Sequence, residues 1–203
     1  RIPLRIIDGD LQKKKVYRRI HEILTEEKPD IRMLINSAGF GKSGTVTEIA
    51  RENFRIQTDM VDLNCRALTR MTLLCLPYMS RGSRIVNLAS AAAFCPQPSF
   101  AVYAATKSYV LSFSRALGAE LSGRGIPVTA VCPGPVDTEF FNVSGNQKNP
   151  WKKLTMVKAP VVVHQALKDS RAGRSLSICG LPMKAVRFVT GIVPHGLILR
   201  FKK

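Results

Sequence analysis

Four short apolar runs, IRMLIN (31–36), RIVNLAS (84–90), IPVTAVC (126–132) and SLSIC (175–179), are separated by longer stretches in which apolar residues recur at helical spacing. Uninterrupted runs of this length suit strands covered on both faces, as in a parallel sheet, and parallel strands need a long crossover between them. The helical stretches supply those crossovers. The alternation predicts right-handed βαβ units and an α/β fold, a doubly wound parallel sheet in one domain over residues 1–203. A fifth run, IPLRII (2–7), reads as a strand already in the middle of a fold, and the chain opens on Arg1 rather than Met, so the sequence predicts a segment upstream.

The helices have readable limits. Asp10 is placed to cap a helix in which Leu11, Val16, Ile20, Ile23 and Leu24 form the apolar face and Lys13, Lys14 and Lys15 meet water, with Pro29-Asp30 as its stop. A long helical pattern covers 51–79, with Phe54, Val61, Leu68, Met71, Leu74 and Cys75 among its apolar positions and Asn64, a poor helix former, in its middle. Another helix spans 100–121, and a shorter one 161–168. Pro133 and Pro135 lack N–H groups, so PGPVDT (133–138) leaves its strand as a loop. No internal repeat or low-complexity linker divides the chain.

Composition narrows the setting. With 203 residues, 45% of them apolar, the chain can bury a sizeable core. The five cysteines (65, 75, 95, 132, 179) are widely spaced without a CxxC pair, which predicts buried free thiols in a reducing compartment rather than a disulfide framework or a zinc site. No apolar run approaches the ~20 residues of a spanning helix, and a cytoplasmic location is expected. The net charge of +17 is uneven: residues 151–203 hold eleven Lys and Arg against a single acid, Asp169. The end of the chain, 181–203, mixes apolar residues at helical spacing with Lys and Arg. Packing on the domain, closing a dimer and peripheral contact with a bilayer are its readings, in that order. Nucleic acid is disfavoured, because no aromatic platform interleaves the basic residues.

The chemistry concentrates in SAAAFCPQPSFAVYAATK, from Ser90 to Lys107. Four residues apart, Tyr103 and Lys107 share one face of a helix. A fixed ammonium beside a phenol stabilises the phenolate, so the Tyr103 pKa is expected to fall from about 10 towards the range of a general acid or base. Ser90 closes the strand RIVNLAS, at the end where ligands of open parallel sheets bind. The small residues of SAGFGKSG (37–44) let the backbone come close to a ligand. The three histidines (21, 164, 195) are dispersed and expected at the surface.

Taken in order, Asp10-Leu11, NSAG (36–39), Asn64, Ser90, YAATK (103–107) and PGPVDT (133–138) resemble the short-chain dehydrogenase/reductase family over about residues 2–140. The resemblance implies a Rossmann-like sheet and hydride transfer between NAD or NADP and a carbonyl or alcohol substrate. It implies Tyr103 as general acid/base, Lys107 tuning it and binding the nicotinamide ribose, Ser90 holding the substrate oxygen, and the main chain of Asn64 holding a relay water. It further implies cofactor contacts from Asp10 and Leu11 at the adenine, from Asn36, Ala38 and Gly39 along the ribose side, and from Pro133, Gly134, Val136 and Thr138 at the nicotinamide end. A homodimer or homotetramer through the long helices and a substrate lid at 139–159 follow from the same likeness; no metal does. The pattern is broken in one respect. The chain has no GxxxGxG turn, so its sheet is expected to lack its first strands and phosphate grip, and NAD cannot be separated from NADP. The substrate is unspecified, an acyl or lipid-like carbonyl compound being compatible with the basic, apolar C-terminal half. The competing reading is a dehydrogenase-like binding or scaffold protein, or an inactive fragment, held at anionic surfaces by its basic tail.

Overall fold

The computed structural model describes residues 4–138, 140 and 156–200. Its centre is a parallel four-stranded sheet in the order β1 (Met33–Asn36), β2 (Arg84–Leu88), β3 (Val128–Val131) and β6 (Leu176–Ser177). In register, Leu34 lies beside Ile85 and Ile85 beside Val128, so these three point to one face. That face carries the larger core, where they meet Val16, Tyr17, Ile20 and Leu24 of α1 (Lys14–Glu27), Cys75 of α4 (Leu68–Cys75) and Leu117 of α5 (Ala101–Glu120). Val86 and Val131 point the other way and pack on Val162 and Ala166 of α6 (Ala159–Arg171). Helices on both faces of a parallel sheet are the doubly wound arrangement the apolar runs predict.

The strands are shorter than their apolar runs, and β1 departs from expectation in burial. Leu34 is buried but Ile35 is 53% exposed, because α6 covers its face only as far as β2 and β3. Nor does the described part of IPLRII form a strand: residues 4–10 have no regular structure, and Leu4 and Ile6 are 85% and 76% exposed. A strand is held by pairing, and no described strand lies beside these residues.

Asp10 caps a turn rather than the helix. Its Oδ1 accepts from Gln12 N at 2.8 Å and its carbonyl from Lys13 N at 2.9 Å, so α1 starts later, at Lys14. The apolar stripe is as expected, and α1 closes through Lys28, whose left-handed φ of 42° lets its N–H reach the Leu24 carbonyl at 3.0 Å.

The single long helix expected over 51–79 is broken into pieces. α2 (Val46–Glu52) opens with a capping box between Thr45 and Glu48 and ends at Asn53, whose extended backbone and side-chain bond to Arg55 N start α3 (Arg55–Val61). A π-helical turn, Asp62–Ala67, joins α3 to α4, and Leu76–Tyr78 tightens to 3₁₀ at Pro77. Asn64 lies inside the π turn.

A polar chain crosses the core beside these elements. Asn36 Nδ2 donates to Asn87 Oδ1 at 2.9 Å, and Asn87 Nδ2 donates to Ser114 Oγ on α5 at 2.9 Å. Asn36 also reaches Thr72 on α4 at 3.1 Å. Asn87, Thr72 and Ser114 are fully buried, where a polar group without a partner is costly.

After β3 the chain forms a small parallel pair, β4 (Val136–Asp137) with β5 (Val157–Lys158), and after β6 two further helices, α7 (Leu181–Ile192) and α8 (His195–Arg200). All five cysteines are free thiols and four are buried. The three histidines are exposed. Among the described residues no helix is long and apolar enough to cross a membrane.

Candidate active site

The C-terminal ends of β1, β2 and β3 run directly into NSAG, Ser90 and Pro133, and α5 lies across them with Tyr103 and Lys107 on its buried face. Both side chains are nearly inaccessible, at 6% and 5% exposure. Lys107 Nζ donates to the Leu88 carbonyl at 2.7 Å and sits 5.7 Å from the centre of the Tyr103 ring. Ser90 follows the end of β2: its Oγ accepts from Ala92 N at 3.1 Å, and its hydroxyl acts to lower the Tyr103 pKa.

Asn64 joins this group from the other side. Its Oδ1 accepts from Phe40 N at 3.0 Å, and its Nδ2 donates to the Phe40 carbonyl at 2.9 Å and to Thr106 Oγ1 at 3.0 Å. Thr106 in turn donates to the Tyr103 carbonyl at 2.8 Å. The loop after β1, the π turn and α5 are thus fastened together by one side chain. Gly39 fits between them with no space for more. A Cβ there would lie 2.8 Å from Asn64 Oδ1 and 3.5 Å from Lys107 Nζ, so the NSAG backbone passes directly against the buried ammonium.

The electrostatics correct one expectation. Burial pushes the Tyr103 phenol up to about 12, only partly offset by the Ser90 hydrogen bond, so the fall expected from the neighbouring lysine is absent. Desolvation outweighs an ammonium that points at the Leu88 carbonyl. Burial also pushes Lys107 down to about 8, against small upward contributions from Cys65 and Cys132. Both of those thiols are held high by their own burial, Cys65 at about 11 and Cys132 at about 12.

The remaining predicted positions fall around this cluster. The Pro133 carbonyl accepts from Ala91 N at 2.8 Å, tying PGPVDT to the segment after Ser90, and Val136 opens β4. Thr138 is exposed, its hydroxyl 3.4 Å from the Val136 carbonyl. Ser37, Ala38 and Gly39 are exposed along the loop after β1, and Asn36 belongs to the core chain already described. Asp10 is exposed and Leu11 packs in the core by α1, with its carbonyl accepting from the Tyr17 hydroxyl. Their contacts include none of Asn64, Ser90, Tyr103 and Lys107. Of the segment 139–159, residues 139 and 141–155 lie outside the described residues. Phe140 stands 5.4 Å from the Tyr103 ring, opposite Phe100 at 4.3 Å.

Several contributors were missed in the sequence. Thr106 is hidden inside YAATK, and its placement on the side of the helix facing Asn64 was the available signal. Gly41, where a Cβ would meet Tyr103 Cδ2 at 2.8 Å, shares the glycine-rich loop, and Met183 of α7, 2.6 Å from a Cβ built on Gly134, had no local signal. A separate cleft of about 410 Å³ between Ala93–Pro98, the start of α5 and α8 is lined by none of the four central residues.

A Tyr, Lys and Ser brought together at the C-terminal edge of a doubly wound parallel sheet define a class of nucleotide-binding folds, and comparison with known proteins gives the family. The short chain dehydrogenase family model matches residues 2–149, and the chain belongs to that family. An uncharacterized oxidoreductase of Staphylococcus epidermidis is 30% identical over 154 residues, 75% of this chain and 65% of its own length. A sulfoacetaldehyde reductase of Chromohalobacter salexigens is 33% identical over 144 residues, 69% of this chain and 56% of its own. A short-chain dehydrogenase of Sphingobium yanoikuyae solved in complex with NADPH superposes with a TM-score of 0.76 at 28% identity, covering 95% of this chain and 74% of that one. The chain therefore spans under two thirds of the length of these two curated relatives.

Proposed function

We propose that this chain carries the reaction centre of an oxidoreductase that moves a hydride between NAD or NADP and a carbonyl or alcohol substrate, with Tyr103 as general acid and base. The observation that carries this reading is the Tyr103 phenol, buried and beside the buried Lys107 ammonium, 5.7 Å from its ring centre. The NADPH-bound relative supports the choice of cofactor class.

A nicotinamide cofactor fits the residues present. The exposed backbone of Ser37–Gly39 is free of bulky side chains, and Lys107, which among the described residues donates one hydrogen bond, to the Leu88 carbonyl, has N–H groups left for ribose hydroxyls. Ala38, Gly39 and Lys107 would hold the ribose side, Pro133, Gly134, Val136 and Thr138 the nicotinamide end, and Asp10 and Leu11 the adenine. When bound, the cofactor supplies or accepts the hydride.

The protein manages the proton. A phenol at about 12 is fully protonated at neutral pH, so in reduction Tyr103 is ready to give its proton to the developing alkoxide while the Ser90 hydroxyl donates a hydrogen bond to the same oxygen. The phenolate left behind is stabilised by Lys107, which is mostly charged below its pKa of about 8. Since the Asn64 side chain is committed to Phe40 and Thr106, its part in the relay falls to the main chain. Oxidation runs the same steps backwards. Self-association through α4 and α5, where Leu73 and Tyr109 are exposed, accompanies this reading and is checked by light scattering.

The test is a titration of the chain with NADH and NADPH followed by cofactor fluorescence, then turnover of a panel of carbonyl compounds by wild type and Tyr103→Phe. Saturable binding with turnover lost in Tyr103→Phe supports the reading. No binding by this chain or by one extended upstream, or turnover unaffected by Tyr103→Phe, overturns it.

A further inference from the structure

The helix α7 is mounted with its apolar face outward. Its inward residues are Met183, against Gly134, Arg187, whose guanidinium lies 5.6 Å over the Phe94 ring, and Thr190. Facing solvent are Leu181, Phe188 and Ile192, exposed by 79%, 69% and 66%, with Ala185 between them and Val186 and Val189 at the flank. At 3.6 residues per turn, positions 181, 185, 188 and 192 form one stripe along the helix. A helix resting on its own domain in water has the opposite arrangement. α8 extends the surface with an exposed Leu197.

Charge selects what covers this stripe. Lys184 borders it, Arg200 ends α8, Lys202 and Lys203 follow in the sequence, and no acidic residue occurs after Asp169. A second copy would bring like charges together across a two-fold axis, in a chain whose net charge is +17. The segment 141–155 offers no better match, since it contains Lys148, Lys152 and Lys153 and no acid. An apolar stripe rimmed by cations and free of anions matches the surface of an anionic bilayer, where apolar side chains enter the acyl boundary and the cations stay at the headgroups.

We propose that α7 and α8 form an interfacial element that seats this protein on anionic membranes. Through Met183 and Arg187 the opposite, inward face of the same helix touches the Gly134 loop and the segment after Ser90, so the seated helix adjoins the candidate active site. The proposal rests on the exposed stripe and its charge and does not require the hydride-transfer reading.

The experiment is co-flotation of the full 203-residue chain with vesicles of phosphatidylcholine alone and of phosphatidylcholine mixed with phosphatidylglycerol. Binding is expected to the mixed vesicles, to weaken with salt, and to be lost in Phe188→Asp/Ile192→Asp. Lys184→Ala is expected to weaken it roughly fivefold, the effect of one cation near such a surface. All three positions are exposed, and circular dichroism confirms that the variants keep their helix content. No binding to mixed vesicles, equal binding to both kinds, or binding unaltered by the double aspartate substitution overturns the proposal. So does a concentration-dependent dimer in light scattering that Phe188→Asp dissolves, which would make the stripe an interface between copies.

Discussion

The Lys107 ammonium is 2.7 Å from the Leu88 carbonyl oxygen, so the last residue of β2 and the helix that lies across it share one buried charge. Among the described residues no carboxylate answers that charge, and its cost shows in its titration. The unfolded chain keeps the lysine proton up to about 10.5, the folded chain only to about 8. Between those limits the unfolded state binds more protons, so folding stability rises with pH across the window, and at neutral pH the charge opposes folding. Lys107→Met is therefore expected to raise the melting temperature at pH 7, and the advantage is expected to shrink towards pH 10. Thermal denaturation of both proteins across that range checks the sign; a variant less stable than wild type at pH 7 would show that the Leu88 hydrogen bond outweighs desolvation.

Thr106 is expected to be coupled to Asn64. Removing its hydroxyl in Thr106→Val deprives the Tyr103 carbonyl and the Asn64 amide of a partner each, at about 1–2 kcal/mol. Thr106→Ser keeps the hydroxyl and should recover most of it. A double-mutant cycle with Asn64→Ala in urea should return an interaction of at least about 0.5 kcal/mol; strict additivity would mean that the bond seen at 3.0 Å carries no energy.

Gly39→Ala puts a methyl group 2.8 Å from Asn64 Oδ1, so the amide must turn and release Phe40 N. One such bond, about 1–1.5 kcal/mol, corresponds to roughly tenfold in affinity if the nucleotide uses this loop. Fluorescence titration with NADPH should show that loss, together with a fall of a few degrees in melting temperature from the released bond. Unchanged affinity would place the nucleotide elsewhere.

Asn87→Ala removes the middle of the polar chain between β1 and α5. Asn36 keeps Thr72 and Ser114 keeps its bond to the Val110 carbonyl, so the expected loss is a cavity and two hydrogen bonds, about 2–3 kcal/mol. Denaturant midpoints measure it, and a loss below about 1 kcal/mol would mean that water fills the gap.

Legibility followed the range of the forces involved. The four strands and α5 were plain because apolar runs and helical spacing are local, and Tyr103, Lys107 and Ser90 were recognisable because their spacing lies within one strand and one helix. The long helix of 51–79 was misread where tertiary contacts decide: the Asn53 break and the π turn around Asn64 depend on fastening Phe40 and Thr106, which no local pattern records. IPLRII had a strand's composition, but its described residues lie beside no described strand. The direction of the Tyr103 shift was lost for a similar reason, since sequence shows the neighbouring lysine and not the 6% exposure of the ring.

The polar chain from Asn36 through Asn87 to Ser114 has a bearing on alignment. β1 is four residues long, pairs among the described strands with β2 alone, and is anchored from below mainly by Leu34. A slide of two residues would keep the same side chains on each face and cost the backbone ladder little. It would also strand both asparagine amides inside the core. The pair therefore works as an indexing pin, admitting one of several near-equivalent settings of the strand, and the loop carrying Ala38 and Gly39 arrives at Lys107 only in that setting.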